Sequence, residues 1–466
     1  MDFPLNKTKI VCTIGPASAN IEIISKMMQE GMNIARINFA HGSFEEHKEI
    51  INRLRKTSSA LNRRIVILGD LPGPKIRIGD IEPIELKEGD RVVLSSNAKE
   101  NQIPVNIEGF SNYLKKDTII YLNDGFLQLK VEEIKGFEVY CICLVGGKLS
   151  SHKGINLPGI DLPLKAIGDF EKQCIDFAKQ MDVDAISVSF VQTKQDILDA
   201  KSFCAQISYN PFIIAKIERS KAIENIDEIL KEANGIMVAR GDLGVETPIE
   251  SIAILQKQLI QKANILGKPV ITATQMLESM VDNIRPTRAE ATDVANAILD
   301  GTDCVMLSEE SAVGKYPDKA VSMLSKIAQN VEHKRYIYPI YETLARVLSS
   351  KSISLEDTMA INVFTTVKNL NPILLVTPTT SGATARRMSR FKLPIWIIGI
   401  THSRNVAQNL EFSYGVYPIY EEELPQDYKQ YVKSIFGQSD SFFVLVKGPS
   451  KKNPEANNSL EIVRLN

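Results

Sequence analysis

Short apolar runs alternate with amphipathic stretches along most of the chain. Eight of these runs are predicted as buried strands, at residues 9–12, 33–36, 65–68, 185–188, 212–214, 235–238, 270–272 and 304–306. Helical periodicity follows most of them, for example at residues 43–61, 193–207, 251–266 and 287–299. Uninterrupted apolar strands are typical of parallel sheets that are covered on both faces. Eight strand–helix units of about thirty residues therefore predict a (β/α)8 TIM barrel.

The alternation of strands and helices breaks once inside the predicted barrel. The break carries turn signals, such as Glu88-Gly89-Asp90 and Asn123-Asp124-Gly125, between short strand-like runs. We therefore predict an inserted small β-barrel domain that leaves the carboxyl end of the third strand and acts as a lid. Apolar strands near Ile373 and Ile395 predict a further α/β domain. The predicted limits are residues 1–70 and 166–335 for the catalytic barrel, 71–165 for the lid and 336–466 for the C-terminal α/β regulatory domain.

Composition argues against several classes of function. The net charge of -1 gives no general basic surface for nucleic acid or a membrane, and no apolar run approaches the length of a membrane span. The segment Met1–Asn6 holds no signal-peptide core, so a cytoplasmic location is predicted. Six scattered cysteines predict buried, reduced thiols: Cys12, Cys141, Cys143, Cys174, Cys204 and Cys304.

The most informative chemistry lies at the ends of the fifth and sixth predicted strands. Lys216 and Glu218 stand two residues apart, so a strand points both side chains to one face, and Asp242 follows the next strand. Two carboxylates beside an ammonium suit a Mg²⁺ ion that also holds substrate oxygens. Other strand ends add the cations Arg36, Lys75 and Arg77. This set favours phosphoryl transfer. The alternative interpretation of the group formed by Lys216, Glu218 and Asp242 is an ordinary surface salt bridge.

Several long motifs carry a family resemblance. They are Thr13–Ser18, Arg36–Phe39, Lys153–Gly159, Lys216–Glu218, Met237–Gly244, Ala273–Met280 and Arg285–Glu290. In this order they resemble pyruvate kinase, strongly from Lys9 to His333 and more weakly in the C-terminal domain. The resemblance implies a homotetramer that transfers the phosphoryl group of phosphoenolpyruvate to ADP. The products are pyruvate and ATP, in the last step of glycolysis.

The resemblance also implies roles for individual residues. Glu218 and Asp242 are expected to bind Mg²⁺ or Mn²⁺. The residues expected to act in catalysis are Lys216, Arg36, Thr274, Ser308 and Glu310. Those expected to bind phosphoenolpyruvate are Arg36, Lys216, Gly241, Asp242 and Thr274. Those expected near the nucleotide are Asn38, His41, Arg77 and Lys153, with Asp124 on the lid.

Some positions depart from the common pattern of this family. Ala40 and Leu71 replace a serine and a threonine that contribute oxygens to a K⁺ site, and Lys75 replaces a glutamate beside it. Because two ligands are lost and a fixed positive charge is gained, K⁺ is not expected to be required. The alternative is that Lys75 points to solvent. Glu46 stands where some relatives have an adenine-stacking tyrosine, so the nucleotide preference stays open.

A hydroxyl-rich loop precedes a helix in the C-terminal domain. It contains Thr379, Thr380, Ser381, Gly382 and Thr384. Hydroxyls and free N–H groups at a helix start favour anions, and the resemblance places an allosteric phosphate site at this loop. The alternative is a plain helix N-cap. The identity of the phosphorylated effector stays open.

Two other functions are alternatives. Another Mg²⁺-dependent barrel enzyme that acts on phosphoenolpyruvate or an enolate, such as an aldolase or a phosphomutase, uses a similar carboxylate pair. Such an enzyme needs neither the lid nor the effector-like loop. A non-catalytic sensor binds a sugar phosphate through the C-terminal domain, although the intact Lys216, Glu218 and Asp242 argue against it.

Overall fold

The computed structural model describes residues 3–123, 125–160, 165–334, 344, 348, 354–437, 440–448 and 458–466. Asp124 and the predicted boundary between residues 335 and 336 lie outside the described residues. The predicted fold class is confirmed, because a closed parallel barrel, an inserted β lid and a C-terminal α/β unit follow one another in the predicted order. The numerical limits of the three domains stay a prediction.

The strands in chain order are β1 Lys9–Thr13, β2 Met32–Asn38, β3 Val66–Asp70, β4 Ile84–Leu86, β5 Arg91–Ser95, β6 Ile103–Pro104, β7 Ile119–Leu122, β8 Leu127–Lys135, β9 Glu138–Val145, β10 Gly147–Leu149, β11 Ile155–Asn156, β12 Ala185–Val188, β13 Phe212–Ile217, β14 Gly235–Ala239, β15 Val270–Ala273, β16 Cys304–Leu307, β17 Leu374–Pro378, β18 Trp396–Thr401, β19 Val416–Tyr420, β20 Phe442–Lys447 and β21 Ser459–Arg464.

The described α-helices are α1 Ile21–Glu30, α2 Phe44–Leu61, α3 Asp169–Gln180, α4 Lys194–Gln206, α5 Ser220–Glu224, α6 Ile226–Glu232, α7 Arg240–Glu246, α8 Ile252–Ile265, α9 Arg288–Asp300, α10 Glu309–Ala312, α11 Pro317–Glu332, α12 Leu355–Leu370, α13 Ala383–Ser389, α14 Arg404–Leu410 and α15 Tyr428–Phe436. Three 3₁₀ turns lie at Phe110–Tyr113, Ile249–Ser251 and Glu278–Val281. No helix in the described part of the chain is both long and apolar enough to cross a membrane.

Parallel pairing closes the barrel in the order β1-β16-β15-β14-β13-β12-β3-β2, and β2 pairs again with β1. These strands coincide with the eight apolar runs of the sequence. All residues of β1, β3, β13 and β14 are buried, because helices cover the outer face and side chains fill the interior. The carboxyl ends of the eight strands therefore meet at one rim of the barrel.

The lid is built between β3 and β12. It consists of a six-stranded sheet, in the order β11-β7-β8-β9-β5-β6, and a two-stranded sheet of β10 and β4. Two segments connect it to the barrel, residues 75–78 and 152–155, and we call this pair the lid stem. The Ile155 amide donates to the Ile76 carbonyl at 2.8 Å, and the Ile78 amide donates to the Lys153 carbonyl at 2.9 Å. The two connections therefore form one paired ribbon at the rim.

Local signals in the sequence explain how individual helices begin. Ser43 caps α2 and forms a capping box with Glu46, whose carboxylate accepts the Ser43 amide at 2.7 Å. Glu46 thus has a structural use in the helix start. All six cysteines are free and buried, which confirms the predicted thiols.

The C-terminal unit closes the opposite end of the barrel. Its sheet has the order β19-β18-β17-β20-β21, and its residue Phe412 inserts among the side chains that fill the barrel interior. The ring of Phe412 is fully buried and stacks on Phe212, with centroids 5.2 Å apart. Two buried ion pairs lie nearby, Lys392 with Asp303 and Lys9 with Glu411. The barrel core and the C-terminal unit therefore share one packed contact.

Candidate active site

The side chains of Lys216 and Glu218 meet at the carboxyl rim of the barrel. Lys216 lies near the end of β13 and Glu218 immediately follows it. The spacing of two residues turns both to one face, and the Lys216 Nζ lies 3.0 Å from a Glu218 carboxylate oxygen. Their side chains are 11% and 1% exposed, so this is a buried pair and not the surface salt bridge of the alternative interpretation.

Asp70 at the end of β3 connects this pair to Arg36 on β2. Its Oδ2 accepts from Arg36 Nε at 3.1 Å and from Lys216 Nζ at 3.3 Å. Its Oδ1 accepts from the hydroxyl of Ser187 at 2.5 Å. Burial by itself raises the pKa of Asp70, but the charges of Arg36 and Lys216 lower it by more, so the net pKa lies below its usual value. Asp70 therefore stays ionised and holds both cations in place.

The ammonium of Lys216 has a further hydrogen-bond partner on the next strand end. It donates to the Ser189 hydroxyl at 2.7 Å. Burial lowers the pKa of Lys216, yet the carboxylates of Asp70 and Glu218 outweigh that effect, and its net pKa is raised. Burial, with the nearby Asp242 carboxylate, raises the pKa of Glu218 against the opposing charge of Lys216. The site thus holds a permanent positive charge between carboxylates.

Sequence reasoning gave no role to the polar side chains at the end of β12. Ser187 and Ser189 flank Val188, so alternation along an extended chain points both toward the site. Two hydroxyls at the end of a buried apolar strand are a sequence signal that could have placed Ser187 and Ser189 in the site. Asp70 stood at a strand end as well, but its partners come from distant parts of the chain.

Asp242 lies in the first turn of α7 and pairs with Lys75 from the lid stem. The Lys75 Nζ lies 2.8 Å from Asp242 Oδ1, and the two side chains are 17% and 26% exposed. The side chain of Lys75 therefore lies in the site and does not extend into solvent. Among the described residues, no group of three or more His, Cys, Asp and Glu side chains is arranged to hold a metal.

Two carboxylates nevertheless fit a divalent cation. Each carboxylate already binds a positive group, the ammonium of Lys216 at Glu218 and the ammonium of Lys75 at Asp242. Carboxylate oxygens are the ligands that Mg²⁺ prefers, and Mg²⁺ commonly takes one or two of them together with water and substrate oxygens. The donor set is compatible with such a site.

The backbone around Thr274 is strained. Thr274 and Gln275 follow β15 with φ of 70° and 53°, a region that β-branched residues rarely adopt. Arg240 holds this turn by donating to the Thr274 carbonyl at 2.7 Å. The Thr274 hydroxyl accepts the Gly241 amide at 2.7 Å, so these two predicted binding groups face each other. Strain of this kind is concentrated at functional sites.

Ser308 and Glu310 lie together at the end of β16. The carboxylate of Glu310 accepts the Ser308 amide at 2.7 Å and the Leu277 amide at 2.9 Å. Burial raises the pKa of Glu310 despite these donors. Glu310 therefore fixes the two loops that follow β15 and β16.

The residues expected near the nucleotide line the rim and the lid stem. Arg77 donates to the His152 carbonyl at 3.0 Å, and Lys153 is partly exposed on the facing segment. The Asn38 side chain accepts the Ala40 amide at 3.1 Å, and His41 is exposed just beyond it. The structure thus places two of these residues on the barrel rim and two on the lid stem.

The hydroxyl-rich loop lies before α13. Thr379 is buried and its hydroxyl accepts the Gly382 amide at 2.9 Å, which closes the turn before α13. Ser381 is exposed, and its hydroxyl accepts the Ala383 amide at 3.4 Å. Part of the loop therefore holds the turn, no described side chain caps α13 itself, and Thr380 and Thr384 are partly exposed.

Comparison with known proteins now decides the family. The model of the pyruvate kinase barrel domain matches residues 5–321, and that of the pyruvate kinase alpha/beta domain matches residues 357–463. The chain belongs to the pyruvate kinase family. It is therefore a phosphotransferase of the pyruvate kinase type, which confirms the resemblance drawn from the motifs.

Similar pyruvate kinases support this membership across nearly the whole chain. That of Thermococcus litoralis is 48% identical over 430 residues, which cover 91% of this chain and 90% of the relative. That of Staphylococcus epidermidis is 43% identical over 426 residues, which cover 90% and 72%. A crystal structure of a pyruvate kinase from Cryptosporidium parvum superimposes with a TM-score of 0.90 at 34% identity, over 99% of this chain and 97% of that one.

Proposed function

We propose that the site at the barrel rim transfers the phosphoryl group of phosphoenolpyruvate to ADP, with Mg²⁺ or Mn²⁺ bound by Glu218 and Asp242. The observation that carries this proposal is the buried Lys216 ammonium, 3.0 Å from Glu218 and 3.3 Å from Asp70. A desolvated positive charge at that place favours the charge that moves during phosphoryl transfer.

Two cations face the phosphoryl group in this proposal. Lys216 and Arg36 are fixed by the same carboxylate, Asp70, so they need little reorganisation when the group moves. The divalent ion, when bound, screens the phosphate oxygens and orients them. Arg36 also donates to the Thr13 hydroxyl at 2.8 Å, which fixes the direction of its guanidinium.

Carboxylate binding and proton supply are assigned to the turns after β14, β15 and β16. The Gly241 and Asp242 amides and the Thr274 hydroxyl bind the substrate carboxylate, which takes the place of the present bond between Gly241 and Thr274. The hydroxyls of Thr274 and Ser308 then relay a proton to enolpyruvate, which becomes pyruvate. Glu310 positions both loops. Asn38, His41, Arg77 and Lys153 face the nucleotide phosphates.

A coupled assay of pyruvate release tests the reaction. Pyruvate should form from phosphoenolpyruvate only when ADP and either Mg²⁺ or Mn²⁺ are present, and one ATP should form for each pyruvate. Activity that survives chelation by EDTA argues against the metal proposal. Pyruvate formed without ADP argues for a different reaction of phosphoenolpyruvate.

Turnover is expected not to depend on K⁺. Ala40 and Leu71 supply no side-chain oxygen, and the Lys75 ammonium already lies in the site beside Asp242. The measurement is kcat in a buffer whose monovalent cation is tetramethylammonium, before and after KCl is added at matched ionic strength. We expect a change below about twofold, because the Lys75 ammonium is covalently tethered at the site and supplies the charge whether or not it contacts Asp242. Strong activation by KCl contradicts the proposal.

Reversing the charge at residue 75 provides the complementary test. The Lys75→Glu variant is expected to lose about 100-fold in kcat without K⁺, since it removes a cation and places an acid beside Asp242. Added KCl should restore activity only partly, because residues 40 and 71 still lack oxygen ligands. Full activity of this variant without K⁺ excludes the assigned role of Lys75.

The loop before α13 is proposed to bind a phosphorylated effector. Arg386 donates to the Ser381 carbonyl at 2.8 Å, and its guanidinium lies 6.0 Å from the ring of Phe212, the first residue of β13. Because Lys216 lies near the other end of that strand, the loop has a physical connection to the site. This supports coupling between effector and turnover.

Removing the exposed hydroxyls tests the effector site. Replacing Thr380 and Ser381 by alanine should abolish activation by any of a panel of sugar phosphates and nucleoside monophosphates, while the turnover without effector changes less than about twofold. The Thr365→Ala variant on α12 is the matched control, since it removes a hydroxyl from the same domain outside the loop. A full response of the double variant leaves the loop with a structural role alone.

A cytoplasmic homotetramer is part of the same proposal and rests on the family. Sedimentation velocity measures the assembly directly. A monomer at the concentrations used for assay contradicts this part.

A further inference from the structure

The ion pair between Lys75 and Asp242 joins two parts of the molecule. Lys75 belongs to the lid stem, whereas Asp242 belongs to α7 on the barrel. Lys75 Nζ lies 2.8 Å from Asp242 Oδ1 and 6.0 Å from the centroid of the Phe190 ring. The contact therefore links a lid segment to a carboxylate of the candidate metal site.

The stem of the Lys75 side chain passes directly over Gly154. A Cβ placed on Gly154 would lie 2.5 Å from Lys75 Cε, closer than any carbon contact allows. Gly154 also pairs across the lid stem with Arg77. The lack of a side chain at residue 154 therefore leaves the gap through which Lys75 reaches Asp242.

The backbone of the lid stem follows any movement of Lys75. The Ile155 amide donates to the Ile76 carbonyl at 2.8 Å, and the His152 amide donates to the Ile78 carbonyl at 3.0 Å. These bonds tie both connections of the lid to one another beside Lys75. Release of the ammonium from Asp242 thus removes the ionic contact between the stem and α7, while the hydrogen bond between Glu246 of α7 and Asn156, the residue after the stem, remains.

We propose that Lys75 is an exchangeable counter-ion of Asp242. Its ammonium neutralises the carboxylate while no divalent cation is bound, and a divalent cation that binds Asp242 displaces it and removes this ionic contact between the lid stem and α7. The physical reason is that a divalent ion and an ammonium repel each other strongly when they share one carboxylate. The inference rests on the proposed function, because it requires Asp242 to bind the metal.

Mn²⁺ binding to the substrate-free protein tests the exchange without any measurement of activity. Electron paramagnetic resonance gives the affinity of the parent and of the Lys75→Met, Gly154→Ala and Lys148→Met variants. Lys75→Met should bind Mn²⁺ about tenfold tighter, because the competing ammonium is gone. Gly154→Ala keeps the charge but forces the end of the Lys75 side chain to shift, which weakens its contact with Asp242, so the affinity should rise also, by less than in Lys75→Met. Lys148, exposed on β10 of the lid, is the matched control and should leave the affinity unchanged.

Hydrogen exchange tests the release of the stem. In the parent, Mn²⁺ should speed exchange of the Ile78 and Ile155 amides, which form stem bonds. In Lys75→Met these amides should already exchange at the faster rate, and Mn²⁺ should add little. Thermal unfolding of each variant establishes that it is folded, and Gly154→Ala carries the test if Lys75→Met does not fold.

The outcomes separate this inference from the proposed function. Unchanged or weaker Mn²⁺ affinity in Lys75→Met and Gly154→Ala overturns the proposed displacement of Lys75. Amide hydrogen exchange of the parent stem that does not change with Mn²⁺ overturns it as well. The Asp242→Asn variant decides the metal assignment by itself. If Asp242→Asn binds Mn²⁺ as the parent does, the proposed metal site fails. If it loses Mn²⁺ while Lys75→Met shows no gain, the exchange alone fails.

Discussion

Replacement of Lys216 by methionine is expected to lower kcat about 10³-fold, or about 4 kcal/mol of transition-state stabilisation. KM for phosphoenolpyruvate should change far less, because the ammonium is already paired in the ground state with Asp70, Glu218 and Ser189. Its charge is therefore most valuable when negative charge moves with the phosphoryl group. Steady-state kinetics with saturating ADP and metal measure both constants.

The Lys201→Met variant is a matched control for this experiment. Lys201 pairs with Glu232 on the outer helices of the barrel, at a similar N–O distance of 2.9 Å, and takes no part in the site. Its replacement should leave kcat and KM within about twofold, since a partly exposed ion pair away from the site contributes little. A Lys216→Met effect confined to KM contradicts the assigned role.

The largest effect on metal dependence is expected from Glu218→Gln and Asp242→Asn. Each variant should lower activity at limiting Mg²⁺ by at least about 100-fold, because a charged oxygen ligand is lost from a site that offers two. Glu218→Gln keeps an oxygen that can accept the Phe190 amide, now at 2.7 Å. We therefore expect the free energy of unfolding to fall by about 2 kcal/mol or less.

Titration of activity with Mg²⁺ and Mn²⁺ checks the metal prediction. Each variant should need a higher metal concentration for half-maximal rate, in addition to its lower maximum. The matched control is Glu232→Gln, which removes a carboxylate from the partly exposed pair with Lys201. If either site variant retains near-parent activity at limiting Mg²⁺, its carboxylate is not a metal ligand.

Sequence alone predicts the barrel well because its signals are local. Each parallel strand is buried on both faces, so it shows as a continuous apolar run, and polar residues appear where the run ends. The pair Lys216 and Glu218 follows from the same local geometry, since two residues on one strand share a face. All eight strands and this pair were predicted correctly because the rules behind them act within a few residues.

The parts that sequence did not predict depend on contacts between distant residues. Asp70 and Lys216 are 146 positions apart, and Lys75 and Asp242 are 167 apart. The strained backbone of Thr274 is set by Arg240 and Gly241 from a neighbouring strand end. No periodicity or propensity contains such information, because register and packing of the whole barrel decide it.

The burial of Phe412 bears on how far this enzyme divides into autonomous modules. A fragment that stops at the end of α11 lacks this ring, and its innermost layer of side chains opens to water beside Phe212. Fully burying a phenylalanine is worth about 1.5–3 kcal/mol, a large fraction of the margin that keeps a domain folded. A chimera that grafts another C-terminal unit onto this barrel must therefore supply an apolar side chain that fills the place of Phe412.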